Sequence, residues 1–217
     1  MISRLVKRVL DVVVAGTALL LAALPMLVVA VLIRITMGSP VLFCQARPGK
    51  AKRLFALYKF RSMNDARGPD GRLLPDGQRL TRLGRFLRRT SLDEWPQLWN
   101  VLRGDMSLVG PRPWLARYLP YYTERECLRF DVPPGITGWA QVRSRNRLGW
   151  DERLSLDIWY VENWSLALDL RIIVLTVRAV LMQEGVLVNV GSHGALDLDE
   201  ERRCRRKELA GAQSPPC

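Results

Sequence analysis

Residues 11–33 read DVVVAGTALLLAALPMLVVAVLI, and the stretch from Val12 to Ile33 runs for 22 residues without a charge. As a helix it would be about 33 Å long, enough for the ~30 Å hydrocarbon core of a bilayer. What becomes of this segment decides the fold, because the rest of the chain either follows a cleaved leader or is built beside an anchor. Arg4, Lys7 and Arg8 precede it like the start of a signal peptide, yet the apolar run is too long and no small-x-small cleavage site precedes a soluble start. Basic residues also follow it, at Arg34, Arg47, Lys50, Lys52 and Arg53, so the positive-inside rule draws both ends to the cytoplasm and favours neither orientation of a span. Pro25, near the middle, removes one helical hydrogen bond and clashes with the preceding turn. A helix broken there, entering and leaving by the same face, satisfies both observations and is favoured over a simple span, although spans tolerate prolines too. Asp11 is expected at the interface, paired with Lys7 or Arg8.

Outward from the anchor the chain is basic. It carries a net charge of +12 over 217 residues, and Cys44 to Thr90 alone holds thirteen Lys/Arg against Asp65, Asp70 and Asp76. Such a field attracts polyanions: nucleic acid, acidic lipid head groups or nucleotide diphosphates. No groove-reading motif or aromatic-basic platform accompanies it, which argues against nucleic acid as the partner. His193 is the single histidine, so catalytic dyads and zinc sites built on imidazole are nearly excluded. Four cysteines without metal-ligand spacing read as reduced thiols.

Val41 to Phe60 predicts a β-hairpin turning through Arg47-Pro48-Gly49-Lys50 as a type II turn. Asn64 to Gln78 predicts a long polar loop, mobile or functional. Leu80 to Arg89 predicts a short basic helix, Arg117 to Arg129 and Asp151 to Asn163 two more, and Pro133 to Gly149 a loop. Leu166 to Met182 is apolar but interrupted by Asp169, Arg171 and Arg178, which suits a core or interfacial helix better than a span. From Asp197 onward, charge blocks and a Ser-Pro-Pro sequence predict a frayed tail.

Between the basic helix and the loop at Gly104 lies Ser91-Leu92-Asp93-Glu94, which has the form of a capping box with Ser91 at the N-cap and Glu94 at N3. Leu92, Trp95, Leu98, Trp99 and Leu102 then recur at helical spacing. Asp93 in a first helical turn would be held anionic by the macrodipole, reinforced by Arg85, Arg88 and Arg89. Such a carboxylate can attack phosphorus and hold it covalently, while its neighbour can bind Mg²⁺ together with phosphate oxygens and arginines take the rest. On the tetrapeptide alone capping is the favoured reading, and only the surrounding blocks shift the weight.

The blocks around it resemble the bacterial sugar transferase family, the monotopic polyprenyl-phosphate phosphoglycosyl transferases. They are KFRSM (Lys59–Met63), TSLDEWPQL (Thr90–Leu98), NVLRGDMSLVGPRP (Asn100–Pro113) and PGITGWAQV (Pro134–Val142), followed by Arg145-Asn146, Asp157-x-x-Tyr160, Ser165 and Asp169. The resemblance implies transfer of a phosphosugar from a UDP-sugar to polyprenyl phosphate at the cytoplasmic face of the bacterial inner membrane, among anionic lipids, with release of UMP. It makes Asp93 the nucleophile, Glu94 the Mg²⁺ ligand, and Lys59, Arg88, Arg112 and Arg145 the phosphate-binding residues. It also implies a re-entrant anchor broken at a Ser-Pro pair, where this chain has Leu24-Pro25, and a minimal catalytic form. The expected fold is α+β and mainly helical: a re-entrant membrane helix over 1–36, a catalytic domain over 37–190 with a small β-hairpin and amphipathic interfacial helices, and a disordered polar tail over 191–217. The competing reading is a membrane-tethered basic binding module without catalysis.

Overall fold

The computed structural model describes residues 2–143, 149–182 and 197–212. Helix α1 (Ile2–Met37) contains the whole apolar run and passes through Pro25 without leaving helical structure. The break expected there is therefore not a break in secondary structure. Proline withholds a single N–H, Pro25 lies on an exposed face, and strong helix formers flank it on both sides.

Both ends of α1 are fastened to the same folded body. Near its start, Lys7 Nζ lies 2.6 Å from Asp169 Oδ2 and 3.1 Å from the Val109 carbonyl. Arg8 donates to the carbonyls of Val101 and Leu102 at 2.6 and 2.8 Å; both lie in the last turn of helix α4 (Gln97–Arg103), where helical N–H partners run out, and Val101 accepts the Gly104 N–H besides. Asp11 does not pair with Lys7 or Arg8; its Oδ1 accepts the Leu108 N–H at 3.1 Å. Further along, Ala15 packs with Leu57, Val101 and Met106, and Ile33 packs with Phe60 and Leu87. The opposite face is apolar and uncovered, with Leu20, Leu21 and Leu24 each more than 70% exposed.

The hairpin forms as β1 (Leu42–Pro48) antiparallel to β2 (Leu54–Phe60), but its reversal lies further on than the expected type II turn. Gly49 is still extended, and the chain reverses through a 3-10 turn, Lys50–Lys52, with Ala51 and Lys52 at φ 53° and 62°. A side chain at residue 49 would crowd the Phe55 ring at 3.1 Å and the Arg53 carbonyl at 3.2 Å. Along β2, three residues serve three purposes: Leu57 enters the core beneath α1, Phe60 packs with Ile33 and Leu87, and Lys59 reaches the site described below. The Asn100 amide, fully buried on α4, pairs with strand backbone by donating to the Ala56 carbonyl and accepting the Tyr58 N–H.

The polar loop after β2 is braced by isolated bridges, Met63 to Leu80 and Arg67 to Leu73, and holds a one-turn helix, α2 (Asp76–Arg79). Helix α3 (Arg82–Arg89) starts on Thr81, whose hydroxyl accepts the Gly84 N–H at 2.9 Å. A second sheet, unforeseen from the sequence, pairs β3 (Ser107–Val109) in parallel with β4 (Gly135–Thr137), and a short helix, α5 (Trp139–Arg143), follows. The helix expected over 117–129 is instead two 3-10 segments, Ala116–Tyr121 and Glu126–Phe130. Pro120 interrupts the first, and a genuine capping box opens the second, where the Thr123 N–H bonds Glu126 Oε2 and the Glu126 N–H bonds Thr123 Oγ1. Helices α6 (Trp150–Glu162) and α7 (Leu166–Leu181) lie within a residue of their expected bounds. On α7, Leu168 and Ile172 face the core with Tyr160 and Trp139, while Leu170, Val174, Val177 and Leu181 face outward.

The C-terminal segment departs from the expected tail. Helix α8 (Leu198–Ala212) begins with Leu198 fully buried against Tyr118 and Leu154. Arg202 bridges Glu126 at 2.7 Å and Asp151 at 2.5 Å. His193 lies outside the described residues.

Candidate active site at the Asp93-Glu94 turn

Asp93 and Glu94 sit between α3 and α4 on a three-residue 3-10 turn, Leu92–Glu94. The capping box expected at Ser91 is not made: Ser91 is left-handed at φ 56° and its side chain bonds no helical N–H. Pro96 explains this. It has no N–H to offer a helix begun at Leu92, so it becomes the N-cap of α4, which starts at Gln97. A turn this short has no macrodipole of consequence, and the ionisation of the pair is set by burial and neighbouring cations.

Three separate elements deliver those cations. Strand β2 brings Lys59, whose Nζ lies 2.5 Å from Glu94 Oε1. The loop after β3 brings Arg112, whose Nη2 lies 3.1 Å from the same oxygen. Helix α3 brings Arg88, whose Nε donates to Ser62 Oγ at 3.0 Å and whose charge acts on Asp93. Of the three arginines expected to support Asp93, Arg88 does so. Arg145 lies outside the described residues.

The two carboxylates are driven apart. Burial pushes Asp93, 8% exposed, up to about 6; adjacent Glu94 adds to the rise, and Lys59, Arg88 and Arg112 limit it. Burial would raise Glu94 as well, but Lys59 and Arg112 outweigh it by charge and hydrogen bond and bring it down to about 2. Near neutral pH the turn therefore carries a Glu94 carboxylate paired with two cations through Oε1 and an Asp93 carboxylate with no direct cation partner among the described residues. An anion so placed is poorly solvated, which suits a nucleophile.

Residues with no assigned role in the sequence hold the Arg112 loop by its backbone. The Val109 carbonyl accepts Lys7 Nζ, and Tyr160, whose Oη lies 3.2 Å from the same carbonyl, gives its one hydroxyl proton to Asp169 Oδ1 at 2.7 Å. The Pro111 carbonyl accepts the Gly135 N–H. The Arg112 carbonyl accepts Arg129 Nη2 at 2.5 Å, and Arg129 is paired with Asp157 at 2.8 Å, both side chains almost fully buried. The Pro113 carbonyl accepts Arg47 Nη1 at 3.3 Å. The available signal was charge in apolar surroundings, since Asp157 and Asp169 interrupt otherwise amphipathic helices. Glycines make the close approach possible: a Cβ on Gly110 would stand 2.5 Å from the Pro133 carbonyl, and one on Gly138 2.2 Å from the Gly110 carbonyl.

The donor set can be tested against a magnesium ion. Among the described residues no group of three or more His, Cys, Asp or Glu converges, so no standing protein cage exists. Lys59 and Arg112 both bond Glu94 Oε1, and no described residue bonds Oε2. One or two carboxylates completed by substrate phosphate oxygens is a donor set magnesium accepts.

Comparison with known proteins places this geometry in context. The profile of the family described as bacterial sugar transferase matches residues 2–183. An uncharacterized sugar transferase of Bacillus subtilis, EpsL, is 52% identical over 182 residues, covering 84% of this chain and 90% of that protein. The undecaprenyl-phosphate glucose phosphotransferase of Komagataeibacter xylinus is 45% identical over 190 residues, 79% of this chain and 35% of that protein. The undecaprenyl-phosphate galactose phosphotransferase of Salmonella typhimurium is 40% identical over 201 residues, 84% of this chain and 42% of that protein. The chain thus spans nearly all of the first relative and less than half of the other two.

Proposed function

The chain belongs to the bacterial sugar transferase family, and on that premise we propose that it moves a phosphosugar from a UDP-sugar to polyprenyl phosphate, releasing UMP. Two relatives are named as undecaprenyl-phosphate sugar phosphotransferases. The observation that carries the proposal is the separation of the two carboxylates: Glu94 is neutralised by Lys59 and Arg112, while Asp93 is buried and without a direct cation partner among the described residues.

In the first step an Asp93 Oδ attacks the sugar-linked phosphorus of the UDP-sugar. The bond from that phosphorus to the bridging oxygen breaks, and UMP leaves with the electron pair. In the second step a polyprenyl phosphate oxygen attacks the same phosphorus, the bond to Asp93 breaks, and a polyprenyl diphosphate sugar forms. Neither step requires a protein proton donor, which agrees with the absence of histidine among the described residues of the site. Lys59, Arg88 and Arg112 supply positive charge to the non-bridging oxygens as the phosphorus is transferred. Glu94, through Oε2, is the group that would hold magnesium; when bound, the ion would neutralise pyrophosphate charge.

The membrane face belongs to the same proposal. Helix α1 is the one helix among the described residues long and apolar enough to cross a bilayer. Its two ends are bound by a single folded body, which supports both ends lying on the same, cytoplasmic, side. The deciding experiment is incubation with a UDP-sugar labelled in its sugar-linked phosphate. Label should remain on the protein, UMP should be released, and Asp93→Asn should abolish both. Turnover that requires both substrates together and leaves no label on protein would indicate single displacement instead. Salt-sensitive binding of anions without UMP release from any UDP-sugar would leave the non-catalytic basic module.

A further inference from the structure

Close enough to Arg112 to feel its charge stands a group of cations that the transfer reaction does not use. Arg47 reaches the Pro113 carbonyl from β1. Arg112 lies 5.9 Å from the centre of the Trp114 ring, Trp114 meets Trp150 edge-on at 4.8 Å, and Arg153 lies 5.7 Å from the Trp150 ring. Two guanidinium groups thus line one aromatic wall, and a third, that of Arg47, reaches the backbone just before it. Among the described residues neither Arg47 nor Arg153 pairs with a carboxylate, and the nearby Asp157 is taken by Arg129.

Charge gathered without a counter-ion is costly in a half-buried place. Burial, and next the charge of Arg112, lower the affinity of Arg47 for its proton, to about 10, and the same two causes act in the same order on Arg153. The donors are unsatisfied as well: Arg47 Nε, Trp114 Nε1 and Arg153 Nε are all buried and bond nothing among the described residues. Buried donors of this kind usually have partners, and three orphans around one guanidinium call for a multivalent acceptor.

We propose that Arg47, Trp114 and Arg153, with Arg112 shared, form a second anion subsite that takes a phosphate ester. Its oxygens would accept from the orphaned donors, and its charge would supply the missing counter-ion. The inference rests on the reading that Asp93 receives a phosphosugar, because that reaction brings two further phosphates to the site: the nucleotide-side phosphate of the UDP-sugar and the phosphate of the lipid acceptor. The shared chemistry is a phosphate ester, and the test separates the two sources.

Arg153→Gln is the cleaner variant, because no hydrogen bond from Arg153 to a described residue would be lost; Arg47→Gln would also free Pro113. The full chain, in detergent, would be titrated calorimetrically with UDP and separately with a short-chain polyprenyl phosphate, and KM measured for each substrate. Loss of one charge-assisted contact should weaken one ligand by roughly tenfold, leaving the other and the melting temperature in place. Weakened UDP binding identifies the nucleotide phosphate as occupant; weakened lipid-phosphate binding identifies the acceptor. Unchanged affinity for both ligands in Arg153→Gln and Arg47→Gln overturns the subsite, as does an equal loss of both with a lowered melting temperature. If the wild type binds UDP through Arg153 but releases no UMP from any UDP-sugar, the subsite stands and the transferase reading falls.

Discussion

Asp93 pays for its reactivity in stability. A carboxyl raised from 3.8 to about 6 by burial first and Glu94 second binds its proton more tightly in the folded state than in the unfolded chain. The stability it contributes is complete below the unfolded value and is lost as pH rises through about 6. Asp93→Asn should therefore raise stability at pH 8 by about 1–3 kcal/mol and give no gain below about pH 4, as read from chemical denaturation at the two pH values. The same group limits the reaction from the acid side: UMP release should fall as pH drops through about 6, since only the carboxylate attacks. Lys59 is one of the charges that hold Asp93 down, so Lys59→Met should move that limb to higher pH as well as lower the rate. A limb that stays in place in Lys59→Met would remove Asp93 as the titrating group. The acidic pair was legible as two adjacent carboxylates amid arginines. The cause of its ionisation was not, because the tetrapeptide imitates a helix start and burial leaves no mark in four residues.

Among the elements, α3 shows how one glycine brings the Arg88 charge into place. Gly84 lies against the backbone of Ser62, where a Cβ would stand 1.8 Å from the carbonyl oxygen, and Ser62 Oγ receives Arg88 from the same helix. Gly84→Ala must push α3 away from the end of β2, and Arg88 moves with it. The expected outcome is a loss of about 1–3 kcal/mol, as for other overpacked sites, with turnover reduced more than substrate affinity, seen by comparing kcat with KM. Helices that bury a periodic face, such as α6 and α7, could be read directly from spacing. Strands β3 and β4 could not, because three residues show no alternation and their partners lie 28 residues apart in the chain. Thr123 and Glu126 carried the same cap signature as Ser91 and Glu94, and the difference between a realised cap and a failed one came from Pro96, two residues past the pair.

At the scale of the molecule, α1 is less an appendage than a splint. Lys7, Arg8 and Asp11 bind it to α7, α4 and β3, while Ile33 and Met37 lie against β2 and α3. The expected division at residue 36 falls inside this packing, and the C-terminal charge blocks that looked solvated find partners: Arg202 with Glu126 and Asp151, Arg205 with Asp151. Neither could be seen locally, since each depends on complementary charge far away in the chain. The uncovered side of α1 at Leu20, Leu21 and Leu24, and that of α7 at Leu170, Val174, Val177 and Leu181, is apolar surface that water would penalise. Burying it in lipid while the folded body keeps hold of both ends of α1 requires those ends to share one side of the bilayer. In spheroplasts, on a background with every native cysteine replaced, Ile2→Cys and Ser39→Cys should both resist an impermeant maleimide added outside and both react once the membrane is permeabilised. Labelling of Ile2→Cys from outside with Ser39→Cys protected would mean that α1 crosses. The contacts of Lys7 with Asp169 and of Asp11 with Leu108 would then have to break in the membrane, leaving two charged groups without the partners that compensate them.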